Sequence, residues 1–346
     1  VRLRERVRAA PSDVAALLRL GALCRAAGEL EEALQHHRRA CELAPTNAEA
    51  LRHLVQDYEA AGQAEAALEV LERLREVSPH DRWMLERLRD LHVRGERWEE
   101  AAAAQAHLLG GVPAEGAGAA PSLGIWCGLR VRAGQTALAA GNAREASAAA
   151  REVLRADPSF TPAYLLLGEV YRRQGRPQRA TRQWHQAYEA TGHTVLLDRL
   201  EQVYLGENRP HRLIDLYHQA LLRAPDDLRL RYRLATVCVR LEMVDEAAAH
   251  LEAVVREAPG FGPALSELAD IARRRGQLAQ ALTYAQRALA ASRAHLLAFR
   301  CAACGAPAAE WADRCPACGA WNTLTDFLEP RRGAAEPAQV LTSAEA

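Results

Sequence analysis

The stretch AEALRHLVQDYEAAGQAEAALEVLERLREVSP, residues 48–79, decides the fold. Its apolar residues recur three and four apart: Leu51, Leu54 and Tyr58 form the stripe of one helix, and Ala67, Leu71 and Leu74 that of the next. Between them lies AAGQAEA, a Gly-centred turn, and a proline closes the unit. The closing proline recurs at Pro11, Pro45, Pro79 and Pro113, each 34 residues after the last, and then at Pro158, Pro225 and Pro259. A unit of this kind buries its apolar faces only by stacking on copies of itself, so the chain is expected to be an array of helix pairs.

The 34-residue spacing is the period of the tetratricopeptide repeat (TPR). Its signature positions are occupied by Leu17, Leu20, Gly21, Cys24, Ala33 and Ala40 in the first complete unit. In the fifth they are Tyr164, Leu167, Gly168, Tyr171, Ala180, Trp184 and Ala187. Gly21, Ala33, Gly168 and Ala180 are small because antiparallel helices approach closely only where no bulky side chain separates them. The predicted fold class is all-α, a TPR superhelical solenoid of about eight helix-turn-helix repeats with a small C-terminal four-cysteine module. Residues 14–115 hold units 1–3 and residues 127–293 hold units 4–8. The Gly, Ala and Pro content of GGVPAEGAGAAPSLG predicts an inserted loop at 116–126. Pro11 occupies a unit-ending position, so residues 1–13 are expected to be the tail of a preceding unit whose first helix is absent. A start at Val1 fits either truncation or a non-ATG start codon.

Composition narrows the function. Hydrophobic residues make up 49% of the 346-residue chain but aromatics only 5%, the palette of helices packed through small side chains. The 44 basic and 44 acidic residues cancel, leaving no global field to attract nucleic acid or an anionic membrane. Every basic side chain besides histidine is Arg, so a phosphate loop ending in GK[ST], a Schiff-base lysine and a lysine general base are excluded. The bias to Arg and Ala fits a GC-rich genome. Neither a run of 18 apolar residues nor the apolar core of a signal peptide is present, and a cytoplasmic location is expected for the chain as given. No G-x-S-x-G, H-E-x-x-H or G-x-G-x-x-G occurs, and the chain is read as no enzyme. The lone cysteines Cys24 and Cys238 read as small buried hydrophobes. The 12 histidines are dispersed, with no convincing i, i+4 metal pair, and the carboxylates mostly lie on Glu/Arg-rich helical faces suited to solvated ion pairs.

After the eighth unit the text changes to FRCAACGAPAAEWADRCPACGAWNTL. Cys301/Cys304 and Cys315/Cys318 form two CxxC pairs, with Gly305 and Gly319 directly after them. Each pair predicts a tight knuckle whose glycine takes φ > 0, and two knuckles supply four sulfurs in a tetrahedron. Such a site has no open position and is therefore structural. A module at 297–328 buries too little apolar surface to fold alone, whereas structural zinc contributes about 10–16 kcal/mol in small finger peptides. One zinc is expected, and iron could occupy the same thiolates, as in rubredoxins. A redox dithiol is disfavoured because a thioredoxin-like CxxC occurs once per fold. Trp311 and Trp321 are expected to cover the metal or pack on the array. Residues 329–346, rich in Ala, Glu and Pro, read as a disordered tail.

A TPR array ending in a CxxCG…CPxCGxW module resembles the lipopolysaccharide assembly protein B family, over nearly the whole chain. RAAGELEEALQHH, QDYEAAGQAEAALEVLERL and GEVYRRQGRPQRA add to the likeness. The resemblance implies a non-catalytic adaptor on the cytoplasmic face of the bacterial inner membrane. There it would work with a membrane AAA+ protease that degrades the deacetylase committing cells to lipid A synthesis. It also implies Cys301, Cys304, Cys315 and Cys318 as metal ligands, and an N-terminal membrane anchor that this sequence lacks. EWADRCPACGAWNTL further resembles the zinc finger of the RadA-type recombination ATPase, but that family needs a Walker lysine. Alternatives are a generic TPR co-chaperone-like scaffold and a nucleic-acid-binding ribbon. The ribbon reading is opposed by a module whose only cations are Arg300 and Arg314.

In a TPR the first helix of each unit lines the concave groove. Its last turn here carries Arg25, Arg94, Arg172, Arg173, Arg240, Arg273 and Arg274, the candidate partner-binding residues. Cations at helix C-termini also complement the dipole, by about 0.3–1 kcal/mol, which is the competing explanation for their position.

Overall fold

Two residues beyond the closing prolines stand Asp13, Asn47, Asp81 and Asp227, each accepting backbone N–H groups in the first turn of a helix. Asp13 accepts from Ala16 (3.0 Å), Asn47 from Glu49 (2.9 Å) and Ala50 (3.1 Å), Asp81 from Met84 (3.3 Å), and Asp227 from Leu230 (3.3 Å). A cap of this type contributes about 1 kcal/mol, so the repeat proline marks a helix start as well as a stop. In units five and eight a buried phenylalanine, Phe160 or Phe261, holds the equivalent place.

The computed structural model describes residues 2–113, 121–291, 298–308 and 310–327. After α1 (Arg2–Ala9) come α2 (Val14–Ala26) and α3 (Leu30–Leu43), α4 (Ala48–Ala60) and α5 (Ala64–Val77), and α6 (Arg82–Arg94) and α7 (Trp98–Leu108). Next are α8 (Pro121–Ala139) and α9 (Ala143–Ala156), then α10 (Thr161–Arg173) and α11 (Pro177–Thr191). The last are α12 (Val195–Gly206) and α13 (Pro210–Arg223), α14 (Leu228–Arg240) and α15 (Val244–Glu257), and α16 (Gly262–Arg274) and α17 (Leu278–Ala291). These are stacked TPR helix pairs, followed by a small sheet of β1 (Ala298–Cys301), β2 (Pro307–Ala308) and β3 (Leu324–Phe327) in the order β2-β1-β3. Both pairings are antiparallel.

Each turn inside a pair places one residue in the left-handed region: Gly28, Gly62, Glu96, Gly141, Gly175, Asn208, Glu242 or Gly276. The next N–H then donates to the carbonyl five residues back, as from Glu29 to Cys24 and from Met243 to Cys238, both 2.9 Å. This is the helix-ending motif that satisfies otherwise orphaned carbonyls, and glycine enters it without steric cost.

The chain forms two compact units, Val1–Val170 and Tyr171–Ala346. In the first, Leu17, Leu51, Leu54, Leu71, Leu74, Met84 and Leu88 build a continuous core across α2 to α6. Close approach has the predicted cause. A β-carbon on Gly21 would lie 2.5 Å from His37 Nε2, and one on Gly134 would lie 2.7 Å from Leu166 Cδ2. In the second unit, Leu197, Leu200, Leu213, Tyr217, Leu234, Cys238, Leu251 and Leu265 are buried. The lone cysteines pack as hydrophobes: burial pushes the Cys127 thiol up to about 12 and the Cys238 thiol up to about 11.

One boundary differs from expectation. Residues 121–126, expected in the inserted loop, form the first turns of α8, because Pro121 suits a helix start and Leu123 and Trp126 join the buried stripe. The rest of that loop, 116–120, lies outside the described residues. So do the expected tail at 329–346 and residues 292–297 leading into the sheet. Among the described residues, no helix is long and apolar enough to cross a membrane.

Candidate metal centre

The two CxxC segments fold alike. Gly305 N–H donates to the Cys301 carbonyl (2.8 Å) and Gly319 N–H to that of Cys315 (2.9 Å). Cys301 N–H donates to Ala306 O (3.0 Å) and Cys315 N–H to Ala320 O (2.7 Å). Both glycines take φ +74°, the left-handed turn that lets each knuckle close. At Gly319 a β-carbon would also press on the Arg314 guanidinium, 3.1 Å away. That guanidinium donates from Nε to Gly319 O (3.0 Å) and lies over the Trp321 ring, bracing the second knuckle.

All four Sγ atoms lie within 4.8 Å of one another, with Cys301 to Cys318 at 3.7 Å and Cys304 to Cys315 at 3.9 Å. Zn–S bonds of about 2.3 Å give tetrahedral edges of about 3.8 Å, so the sulfurs fit one ion of that size. Cys301 and Cys315 are buried, packed with Leu324 and beside Phe299 and Trp311, while Cys304 and Cys318 face outward.

Burial opposes ionisation of Cys301. The Thr323 hydroxyl, 3.1 Å from Sγ, and the N–H groups of Cys304 and Ala303 outweigh that burial and bring the thiol down to about 6. At Cys318 the Ala320 N–H favours the thiolate, but the hydrogen bond the protonated thiol donates to Cys304, with desolvation and the sulfurs of Cys315 and Cys301, pushes it up to about 12. One sulfur thus ionises readily at the expense of another, and a cation is what allows all four to be thiolates together. The cluster is able to bind one metal ion in rubredoxin fashion.

The module is tied to the repeats of its own unit. His193, just past α11, meets Trp311 edge-on with centroids 5.9 Å apart, and its Nε2 lies 3.1 Å from Leu324 O. The expected packing of Trp311 on the array is thereby found. Trp321 lies against Arg314.

The candidate arginines lie at the C-terminal ends of α2, α6, α10, α14 and α16. Arg94, Arg172, Arg173, Arg240, Arg273 and Arg274 are exposed. Arg240 pairs with Glu201 and Arg273 with Asp270 (3.1 Å). Arg25 is half-buried, donating from Nη1 to Asp57 (2.7 Å) and to His53 O (3.1 Å). Asp57 departs from the solvated faces expected of carboxylates: fully buried, it also accepts from His37 Nδ1. The His37 ring stacks on His53 at 4.9 Å, and its Nε2 lies 3.2 Å from Leu18 O. This network was not legible in the sequence. Its hydrogen-bonded partners lie up to 32 residues apart, and the signal available was the small Gly21 opposite a helix carrying His37.

Comparison with known proteins follows the same lines. Tetratricopeptide-repeat models match residues 24–88, 131–192, 202–261 and 239–295, together more than half of the chain. The LapB-type zinc ribbon, described as a rubredoxin metal binding domain, matches residues 299–326. No curated protein matched the chain. Similar solved structures include a MamA protein, 21% identical over 48% of this chain and 92% of its own, TM-score 0.35. MamA from Desulfovibrio magneticus is 18% identical over 48% of this chain and 95% of its own, TM-score 0.35. YrrB, described as a TPR protein with an unusual peptide-binding site, is 17% identical over 57% of this chain and 95% of its own, TM-score 0.34. With its repeats followed by that family's rubredoxin-type metal-binding domain, the chain has the domain architecture of the lipopolysaccharide assembly protein B family.

Proposed function

We propose that this chain is a non-catalytic adaptor in the control of lipopolysaccharide synthesis. In this reading it holds a membrane AAA+ protease and the deacetylase that commits to lipid A synthesis, on the cytoplasmic face of the inner membrane. The observation that carries this reading is the junction, on one chain, of TPR repeats with a LapB-type ribbon at 299–326. The repeats supply rigid helix faces for protein contact, and the ribbon is docked on them through His193. The four-cysteine set suits a structural role: a bound zinc or iron would have four protein ligands and no position for substrate. Exposed arginines at helix ends offer planar, bidentate donors for partner carboxylates, with Arg172, Arg173, Arg273 and Arg274 the foremost. Arg25 is held by Asp57 and would have to leave that pair to bind a partner.

The test is capture of full-length protein from its own host, with partners identified by mass spectrometry. Recovery of the protease and the deacetylase is expected. Recovery of general chaperones alone would favour a co-chaperone-like scaffold, and salt-sensitive recovery of nucleic acid would favour a ribbon that binds it. Changing Arg172, Arg173, Arg273 and Arg274 to Gln is expected to abolish capture while the melting temperature moves by only a few degrees. Capture that survives this change would place the docking site elsewhere.

A further inference from the structure

His218 on α13 and the pair Glu246 and His250 on α15 bring three ligand atoms together in the second unit, within 4.8 Å of one another. From the geometry we infer a second metal site here, for one zinc-class divalent cation (Zn2+, Co2+ or Ni2+), distinct from the four cysteines. His218 Nε2 stands 3.1 Å and His250 Nε2 3.8 Å from Glu246 Oε1. A tetrahedral zinc with nitrogen and oxygen ligands at about 2.0–2.2 Å has edges of about 3.3–3.5 Å, so small side-chain rotations bring all three onto one ion. Two imidazoles and one carboxylate form a donor set suited to these cations and poorly suited to Ca2+ or Mg2+.

The ligands stand on rigid supports. Leu216, Tyr217 and Ala220 bury α13 around His218, and Ala247, Ala248 and Leu251 bury α15 around the other two. Glu246 and His250 are one helical turn apart, so both project on the same side of α15. His218 and His250 are partly exposed, leaving an approach from solvent and a fourth position for water. An ion bound there would cross-link the second helices of successive repeats. Arg231, whose charge acts on His250, is engaged by Nη2 with Pro225 O (2.6 Å). A second group of the same size, Cys24, Glu32 and His36, is less suited, because the Arg4 guanidinium already pairs with Glu32 (2.9 Å) and Glu29 (3.0 Å).

The test uses the full chain with its cysteine site first loaded by one equivalent of zinc, then titrated with further Zn2+ at equilibrium, without desalting. A second equivalent binding at micromolar free zinc is expected, weakened by about tenfold or more in His218→Ala, in His250→Ala and in Glu246→Gln. His36→Ala is expected to keep it, and all four variants to keep the wild-type helical signal. No second equivalent in the wild type, its retention in both His218→Ala and His250→Ala, or its loss in His36→Ala would overturn the site.

Discussion

Asp57 shows how much a single residue determines. Its buried carboxylate joins Arg25 from the preceding unit to His37, whose two ring nitrogens face Asp57 and the Leu18 carbonyl. Removing one member of a buried ionic group leaves its partners uncompensated, which typically costs about 3–5 kcal/mol. Asp57→Ala is expected to destabilise the first unit by that order, read as a lower urea midpoint by circular dichroism. A midpoint unchanged from wild type would show the network to be dispensable. Residue-scale legibility was uneven. Cys301, Cys304, Cys315 and Cys318 could be named from the sequence because a knuckle is local, with both cysteines and the glycine within five positions. Asp57 with Arg25, and His218 with Glu246, could not. They come from neighbouring repeats, where nothing in the sequence marks which polar residues face across the contact.

Among the elements, the turn inside each pair is the most regular part. Five of its eight left-handed positions hold Gly and one holds Asn, but Glu96 and Glu242 pay the steric cost of a β-carbon there, about 1 kcal/mol each. Glu242→Gly, at φ +59°, is therefore expected to raise the melting temperature by a few degrees. A lowered melting temperature would mean the Glu242 side chain contributes more than the strain removes. The helices themselves were legible from the 34-residue proline spacing and the apolar stripes, because each helix buries a face of regular period. The start of α8 was not. GAGAAPSLG reads as a loop by composition, yet Leu123 and Trp126 fall on the buried side of a helix that begins at Pro121.

Across the whole molecule, stability is expected to divide between the neighbour contacts of repeats and, in the small sheet, a metal held by the four cysteines. Cys315→Ser is accordingly expected to release the metal and unfold the ribbon while leaving most of the far-UV helical signal. Loss of that signal would make the ribbon a keystone of the repeats. The overall architecture was legible because a repeat array and a cysteine module each announce themselves by spacing. The partner that Trp311 meets on the array, His193, was not, since the two lie more than a hundred positions apart. The adaptor role rests on this junction of repeats and ribbon, and it predicts a change in the fate of another protein. The most direct measurement is the half-life of the lipid A deacetylase in the host, with this chain present, deleted and restored. The account predicts a half-life that changes on deletion and returns on complementation; the same half-life in all three strains would contradict it.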